Sequence, residues 1–276
     1  MPDLIIIGAM KCATSMVSVY LEDHGDVFMY KGSPNYFSND RVFARGPDWY
    51  DGLFAGAGPG QLTGEGSNDY AAAAMYPDAA ARLAAHAPEA RLVYMVRHPV
   101  DRLVSAWIQN RADQGDAVPP TLDRAIAEMP ERFVDQSLYW HQLERYRAHF
   151  ADARIFVGFV EDLEADRAAF FARLCGFLGI PPAPVARPRV NVSQGKRVPG
   201  RAYSTIRAVP GLGALARLIP RGARHWVKDR LLSRPVTTRP EISPQVRADL
   251  LAKLAPDAAA LLAHCAKPAD FWDLGP

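Results

Sequence analysis

At 276 residues, 49% hydrophobic composition and a formal net charge of +2, the chain can bury a substantial core as one domain over 1–276. It carries no global basic field of the kind that binds nucleic acid. Cys12, Cys175 and Cys265 are odd in number and far apart, which fits neither a disulfide framework nor a metal knuckle and implies a reducing compartment. With no charged and apolar leader before the first strand, and no apolar run near the roughly 20 residues that span a bilayer, the expectation is a cytoplasmic protein.

The first element is the unbroken aliphatic run Leu4 to Ile7, suited to a parallel strand covered on both faces. A tight turn follows at Gly8. From about Thr14, Met16, Val17, Val19, Tyr20 and Leu21 give a helical apolar face, with Thr14 or Ser15 available to cap the first turn. Strand, short loop and helix together aim loop N–H groups and a helix N-terminus at one point, where Lys11 adds a positive charge. That is a seat for phosphate or sulfate. The lysine stands only three residues after Gly8, with Ala13 where a second glycine would belong, so this is not a Walker loop. Alone, the stretch reads either as an anion loop or as a buried strand with a polar turn.

Val27 to Gly60 reads as irregular structure with short helical turns, and its aromatics, including Tyr30, Tyr36, Phe37, Phe43, Trp49, Tyr50 and Phe54, either pack or wall a substrate site. Gln61 to Glu65 is a short strand candidate, broken by Gly64-Glu65-Gly66-Ser67-Asn68-Asp69-Tyr70. A helix over about Pro77 to His86 ends before Pro88, and Arg91 to Val96 is a second apolar strand. Pro99 keeps His98 out of the α region and opens a helix buried through Val100, Leu103, Val104, Trp107 and Ile108. This second strand–turn–helix unit puts Arg97 at the strand's carboxyl end and Ser105 two turns into the helix. Ligands of open α/β sheets sit at carboxyl strand ends, and a guanidinium and a hydroxyl there can share a phosphate. The competing reading pairs Arg97 with Asp101.

Further along, Asp135 to Phe150 and Asp166 to Leu178 are amphipathic helices flanking the sheet. From Lys196 to Arg234 the chain has ten Lys or Arg residues and one acid, Asp229. Three readings compete for this basic 196–235 segment: a solvated face, a mobile lid that recruits an anionic acceptor, and a peripheral membrane contact. A C-terminal helical part over 240–276 resumes periodicity at Ile242 to Leu262, and Phe271-Trp272 docks the tail.

Gly8-Ala9-Met10-Lys11-Cys12-Ala13-Thr14-Ser15 resembles the loop that holds the 5′-phosphosulfate of PAPS in sulfotransferases, and Arg97-His98-Pro99-x-Asp101-Arg102-x-x-Ser105 is similar to that family's 3′-phosphate motif. Asp48-Trp49-Tyr50, Gly64-Glu65-x-Ser67, Gln142 to Tyr146, Glu161-Asp162-Leu163, Phe177 to Pro181 and Gly195-Lys196-Arg197 extend the likeness over most of residues 3–200. It looks most like the branch of the heparan sulfate N- and O-sulfotransferases and their bacterial relatives, with Cys12, Ala13 and Ser15 as departures. The resemblance implies an α/β, P-loop-like three-layer fold with a mostly parallel central sheet flanked by helices. It implies in-line sulfuryl transfer from PAPS, releasing PAP, to a hydroxyl or amine of a carbohydrate, glycolipid or small-molecule acceptor, with no metal. Lys11 would sit on the bridging oxygen, the loop from Cys12 through Ala13, Thr14 and Ser15 to Met16 on the 5′-phosphate, and Arg97 and Ser105 on the 3′-phosphate. Gly195, Lys196 and Arg197 would close over the nucleotide, and Glu65 would be the base, with His98 as its rival. The alternatives are a nucleotide or small-molecule kinase, with Glu161-Asp162 holding Mg²⁺, and a non-catalytic PAP-binding relative.

Overall fold

The computed structural model describes residues 1–184 and 240–275, together with the backbone of two short strands at Arg197–Pro199 and Ser233–Pro235. Five parallel strands form the central sheet: β1 (Leu4–Gly8), β2 (Val27–Met29), β3 (Leu62–Gly66), β4 (Arg91–Val96) and β5 (Ile155–Phe159), in the order β2-β3-β1-β4-β5. β1 is buried along its whole length, as its side chains require when both faces are covered. The chain winds from β1 to one edge and then back past it to β4. The β1/β4 boundary is therefore the topological switch point, where the carboxyl ends open a crevice.

Helices cover both faces. One layer holds α1 (Thr14–Glu22) and a helix over Arg167–Leu178, where Tyr20 stacks on Phe171 with ring centroids 3.8 Å apart. In chain order the elements between them are α2 (Asp40–Phe43), α3 (Pro47–Gly52), α4 (Ala79–His86), α5 (Pro99–Gln114), α6 (Leu122–Glu128), α7 (Pro130–Phe133), α8 (Tyr139–Arg147) and α9 (Val160–Ala165). The Arg167–Leu178 helix is α10, and α11 (Pro244–His264) follows the basic segment. The Asp257 carboxylate on α11 accepts from the Trp140 and His141 N–H groups, capping the start of α8 at 2.9 Å each. Trp272 is buried against Phe159 and Tyr139, so the tail docks as its aromatics suggest.

Most element positions agree with the sequence reading, with three corrections. Asp135–Ser137 is a separate 3₁₀ turn, and the helix proper begins at Tyr139. Val27–Met29, inside the stretch read as irregular, pairs with β3 as the edge strand. Neither Thr14 nor Ser15 caps α1: both lie inside it, and the N-cap is Ala13, with no side-chain bond. The lid, Gly195 and Lys196 lie outside the described residues. Arg197 is described by its backbone alone, in β6 (Arg197–Pro199), which pairs antiparallel with β7 (Ser233–Pro235) and runs alongside α5.

Candidate active site

The loop between β1 and α1 is shaped by backbone conformations that few side chains tolerate. At Gly8 a Cβ would meet the Ala71 Cβ at 2.9 Å and the Asn68 carbonyl at 3.2 Å, so only glycine lets β1 leave the sheet here. Lys11 and Ala13 both have positive φ, 72° and 58°. The Ala13 carbonyl receives the Met16 and Val17 N–H groups, which turns the chain into α1 without a side-chain cap. The Thr14 and Ser15 N–H groups that begin the helix lie ahead of its first backbone bonds, so they and the dipole supply positive potential at this end. Glycine at position 13 would avoid the left-handed penalty, partly offset by its larger unfolded-state entropy. Ala13→Gly should therefore raise stability by up to about 1 kcal/mol, measurable by urea denaturation.

Two further contacts join this loop to the β4–α5 unit. The Arg97 guanidinium donates to the Lys11 carbonyl at 3.5 Å, and Lys11 Nζ donates to Gln109 Oε1 at 3.4 Å. Gln109 stands one helical turn beyond Ser105 on the same face of α5, so that face looks toward the loop. Arg97 also lies 3.7 Å from Asp101, so the ion pair weighed as the competing reading is present. His98 stays out of the α region as Pro99 demands, with φ −43° and ψ 118°, but its Nε2 meets the Asp273 carbonyl at 3.0 Å. That contact ties it to the C-terminal tail.

Sequence reasoning missed Gln109, and a polar residue four positions past Ser105 was the available signal. It also missed the crevice of about 200 Å³ in front of α1, lined by Thr14, Ser15 and Ser18 on one side and by Tyr30, Ser33 and Asn68 on the other. Cys12 departs from its expected role. Its side chain is fully buried beside the Tyr139 hydroxyl, its N–H closes a turn on the Ala9 carbonyl, and burial raises its thiol to about 11. It packs the loop onto α8 and presents no thiol to a ligand.

Glu65 stands at the carboxyl end of β3 as expected, and adjacent strand residues face opposite ways. A Cβ on Gly66 would point at Ser18 of α1, so Glu65 points into the other layer, where it is fully buried. Its Oε1 accepts from the Tyr50 hydroxyl at 3.0 Å and its Oε2 from the Ser67 hydroxyl at 2.8 Å. Burial lifts its pKa to about 7, against the hydrogen bonds from Tyr70, Ser67 and Tyr50, which oppose the rise.

The folded state thus holds this proton more tightly than the unfolded chain, in which the group titrates near 4.5. The associated stability is fully present below about pH 4.5 and is lost as pH rises through 7. Glu65→Gln abolishes the titration. Between pH 5 and pH 8 the stability of the wild type should therefore fall by about 3 kcal/mol relative to the variant, as read by denaturant melts.

Glu161 and Asp162, the metal ligands of the kinase alternative, are engaged within the protein. Glu161 Oε1 accepts from the His98 N–H at 2.7 Å, and Asp162 pairs with Lys267 and Arg173. Among the described residues no group of three His, Cys, Asp or Glu converges, and no helix is long and apolar enough to cross a membrane.

The sulfotransferase domain model matches residues 1–194. Mouse heparan sulfate glucosamine 3-O-sulfotransferase 3B1 is 29% identical over 187 residues, 65% of this chain and 46% of that protein. Human bifunctional heparan sulfate N-deacetylase/N-sulfotransferase 2 is 24% identical over 204 residues, 66% of this chain and 22% of that protein. The chain thus spans less than half the length of either relative. A sulfotransferase from Alicyclobacillus acidocaldarius shares the fold with a TM-score of 0.66 and 23% identity, covering 97% of both chains. The Curacin-pathway sulfotransferase domain follows at a TM-score of 0.54 and 14% identity, covering 97% of this chain and 99% of that one. With more than half of its length matched by the family model, the chain belongs to the sulfotransferase domain family.

Proposed function

We propose that the protein transfers a sulfuryl group from PAPS to a hydroxyl or amine of a carbohydrate, glycolipid or small-molecule acceptor. The observation that carries this reading is the joining of two anion-directed units at one switch point, through Arg97 to the Lys11 carbonyl and Lys11 to Gln109. One unit offers a helix N-terminus and an ammonium, the other a guanidinium and the Ser105 hydroxyl. Two anionic groups held apart, as in a 3′,5′-bisphosphorylated nucleotide, suit that arrangement.

In the reaction the acceptor oxygen or nitrogen forms a bond to sulfur. The bond from sulfur to the bridging phosphate oxygen breaks, and the acceptor gives its proton to Glu65, the base proposed from the family motif. Lys11, placed on the bridging oxygen, offsets the negative charge that builds there, while Thr14, Ser15 and the first turn of α1 hold the 5′-phosphate. Arg97 and Ser105 hold the 3′-phosphate and so fix the donor in line. Lys196 and Arg197 are the further nucleotide contacts proposed from the family motif. Heparan sulfate is a natural first acceptor to test, because both relatives are named for acting on it.

Calorimetric titration with PAP, with and without EDTA, tests the nucleotide half, and transfer of labelled sulfate from PAPS tests the chemistry. Saturable PAP binding that ignores EDTA is expected. Binding of ATP–Mg²⁺ with none of PAP would reverse the assignment in favour of a kinase, while PAP binding without transfer to any acceptor would indicate a non-catalytic relative.

A further inference from the structure

Helix α11 ends at His264, and Ala266, at a φ of 51°, turns the chain so that the Lys267 N–H closes back on the Leu262 carbonyl at 2.9 Å. Pro268 follows and ends any further helix. The redirected segment, Lys267 to Leu274, lies against the carboxyl end of β5. Lys267 Nζ pairs with Asp162 on α9 at 2.5 Å and sits over the rings of Phe159 and Phe271, 4.9 and 4.3 Å from their centroids. Phe271 and Trp272 both pack on Phe159, with centroids 5.3 and 5.5 Å away.

The same segment reaches both halves of the anion site. Trp272 packs on Tyr139 with centroids 5.9 Å apart, and the Tyr139 hydroxyl lies 3.5 Å from the Cys12 sulfur in the loop between β1 and α1. On the other side the Asp273 carbonyl meets His98 Nε2 at 3.0 Å, one residue from Arg97. A carbonyl only accepts, so Nε2 carries the hydrogen. The seam is incompletely paired: among the described residues, His98 Nδ1, Glu161 Oε2 and Trp272 Nε1 are buried with no hydrogen-bond partner. Such groups cost free energy while buried and regain water when exposed. Aromatic packing and the Lys267 pair hold the segment down against that cost, so it opens more readily than a fully paired contact would.

We propose that Lys267 to Leu274 form a strut that positions both phosphate-binding units, with Trp272 and His98 as its positioning residues, and that nucleotide binding and strut docking favour one another. Trp272 holds Tyr139 against Cys12 and so fixes the loop. The Asp273 carbonyl holds His98 and so fixes the strand end that bears Arg97. No residue of the strut is assigned to the nucleotide itself. A ligand that binds the docked arrangement more tightly must promote docking by the same factor. The nucleotide's place here rests on the sulfotransferase reading, whereas the strut rests on the contacts alone.

Amide hydrogen exchange on the full chain, with and without PAP, tests the strut alongside calorimetric PAP binding and thermal melts. The Phe271 and Leu274 N–H groups, bonded to the Pro268 and Trp272 carbonyls at 3.0 and 2.9 Å, report docking, and the Cys12 N–H, bonded to the Ala9 carbonyl, reports the loop. PAP should slow exchange at Phe271 and Leu274 at least about fivefold in the wild type. Trp272→Ala should speed exchange at Cys12 about tenfold and weaken PAP binding at least about fivefold. His98→Ala should weaken PAP binding to a similar degree, while His98→Gln, whose amide can still donate to the Asp273 carbonyl, should stay within about threefold of the wild type. Should Trp272→Ala fail to fold, Trp272→Phe and Lys267→Met carry the same measurements. Variants that melt earlier yet bind PAP within about twofold of the wild type, with Phe271 and Leu274 indifferent to PAP, would reduce the segment to plain packing and overturn the proposal. A wild type that binds no PAP would remove the sulfotransferase reading. The strut would then stand if Trp272→Ala speeds exchange at Cys12 without nucleotide, and fall if it does not.

Discussion

Replacing Lys11 with alanine should slow sulfuryl transfer from PAPS by about 100- to 1,000-fold, the usual loss when one charge-stabilising group is removed from a reacting centre. The reasoning begins with the loop. Lys11 has a φ of 72° between β1 and α1, and its ammonium reaches across to Gln109 on α5, the face that also bears Ser105. A cation held there is already in place before charge develops on the leaving oxygen. PAP affinity should fall less than the rate, because on the proposed reading Arg97 and the N-terminus of α1 still hold the two phosphates. Single-turnover transfer with labelled PAPS, alongside calorimetric PAP binding, separates the two effects. Lys11→Arg keeps the charge on a planar head of different reach and should recover part of the rate. An alanine variant transferring at the wild-type rate would remove Lys11 from the chemistry.

The parts of this site that could be read from sequence are those set by local rules. Leu4 to Gly8 and Arg91 to Val96 are strands because continuous aliphatic runs demand cover on both faces, and Pro99 marks the start of α5 by fixing its own φ. Where the answer depends on what lies across space, the local rules ran out. Leu62-Thr63-Gly64-Glu65-Gly66 contains two glycines and so shows no alternation, and nothing in it tells which layer Glu65 faces. Gly64 is small for a different reason: a Cβ there would come within 2.6 Å of the Leu4 side chain and 2.8 Å of the Met29 sulfur. The cap of α1 was misread because serine and threonine are the usual caps, whereas this loop turns on the left-handed backbone of Ala13. The edge strand Val27–Met29 is three residues long, too short to show a period beside so many aromatics.

Arg102 is the other residue whose role only the packing reveals, and Arg102→Ala should cost about 3–5 kcal/mol, the range for removing one partner from a buried charged network. In the sequence it sits among the residues of the 3′-phosphate motif, where an arginine suggests a ligand contact. Folded, it has no exposed surface: Nε donates to Ser137 Oγ at 2.7 Å, Nη1 to Gln136 Oε1 at 3.3 Å and Nη2 to the Phe133 carbonyl at 2.5 Å. Burial lowers its pKa, so the three acceptors are what keep the charge tolerable. Ser137 in turn donates to the Pro99 carbonyl at 3.2 Å, which links the 133–137 turns to the start of α5, two residues from Arg97. Alanine would leave a cavity and strip three acceptors of their donor. The midpoint of thermal unfolding should drop by about 10 °C for a chain of this size. Lysine should rescue little, since one ammonium cannot reproduce the planar fork that reaches all three acceptors. PAP affinity should weaken in the same variants, because the turn that seats Arg97 loses its support. An Arg102→Ala protein within about 1 kcal/mol of the wild type would show that water can take over all three bonds, and that the buried guanidinium is not what holds this end of α5.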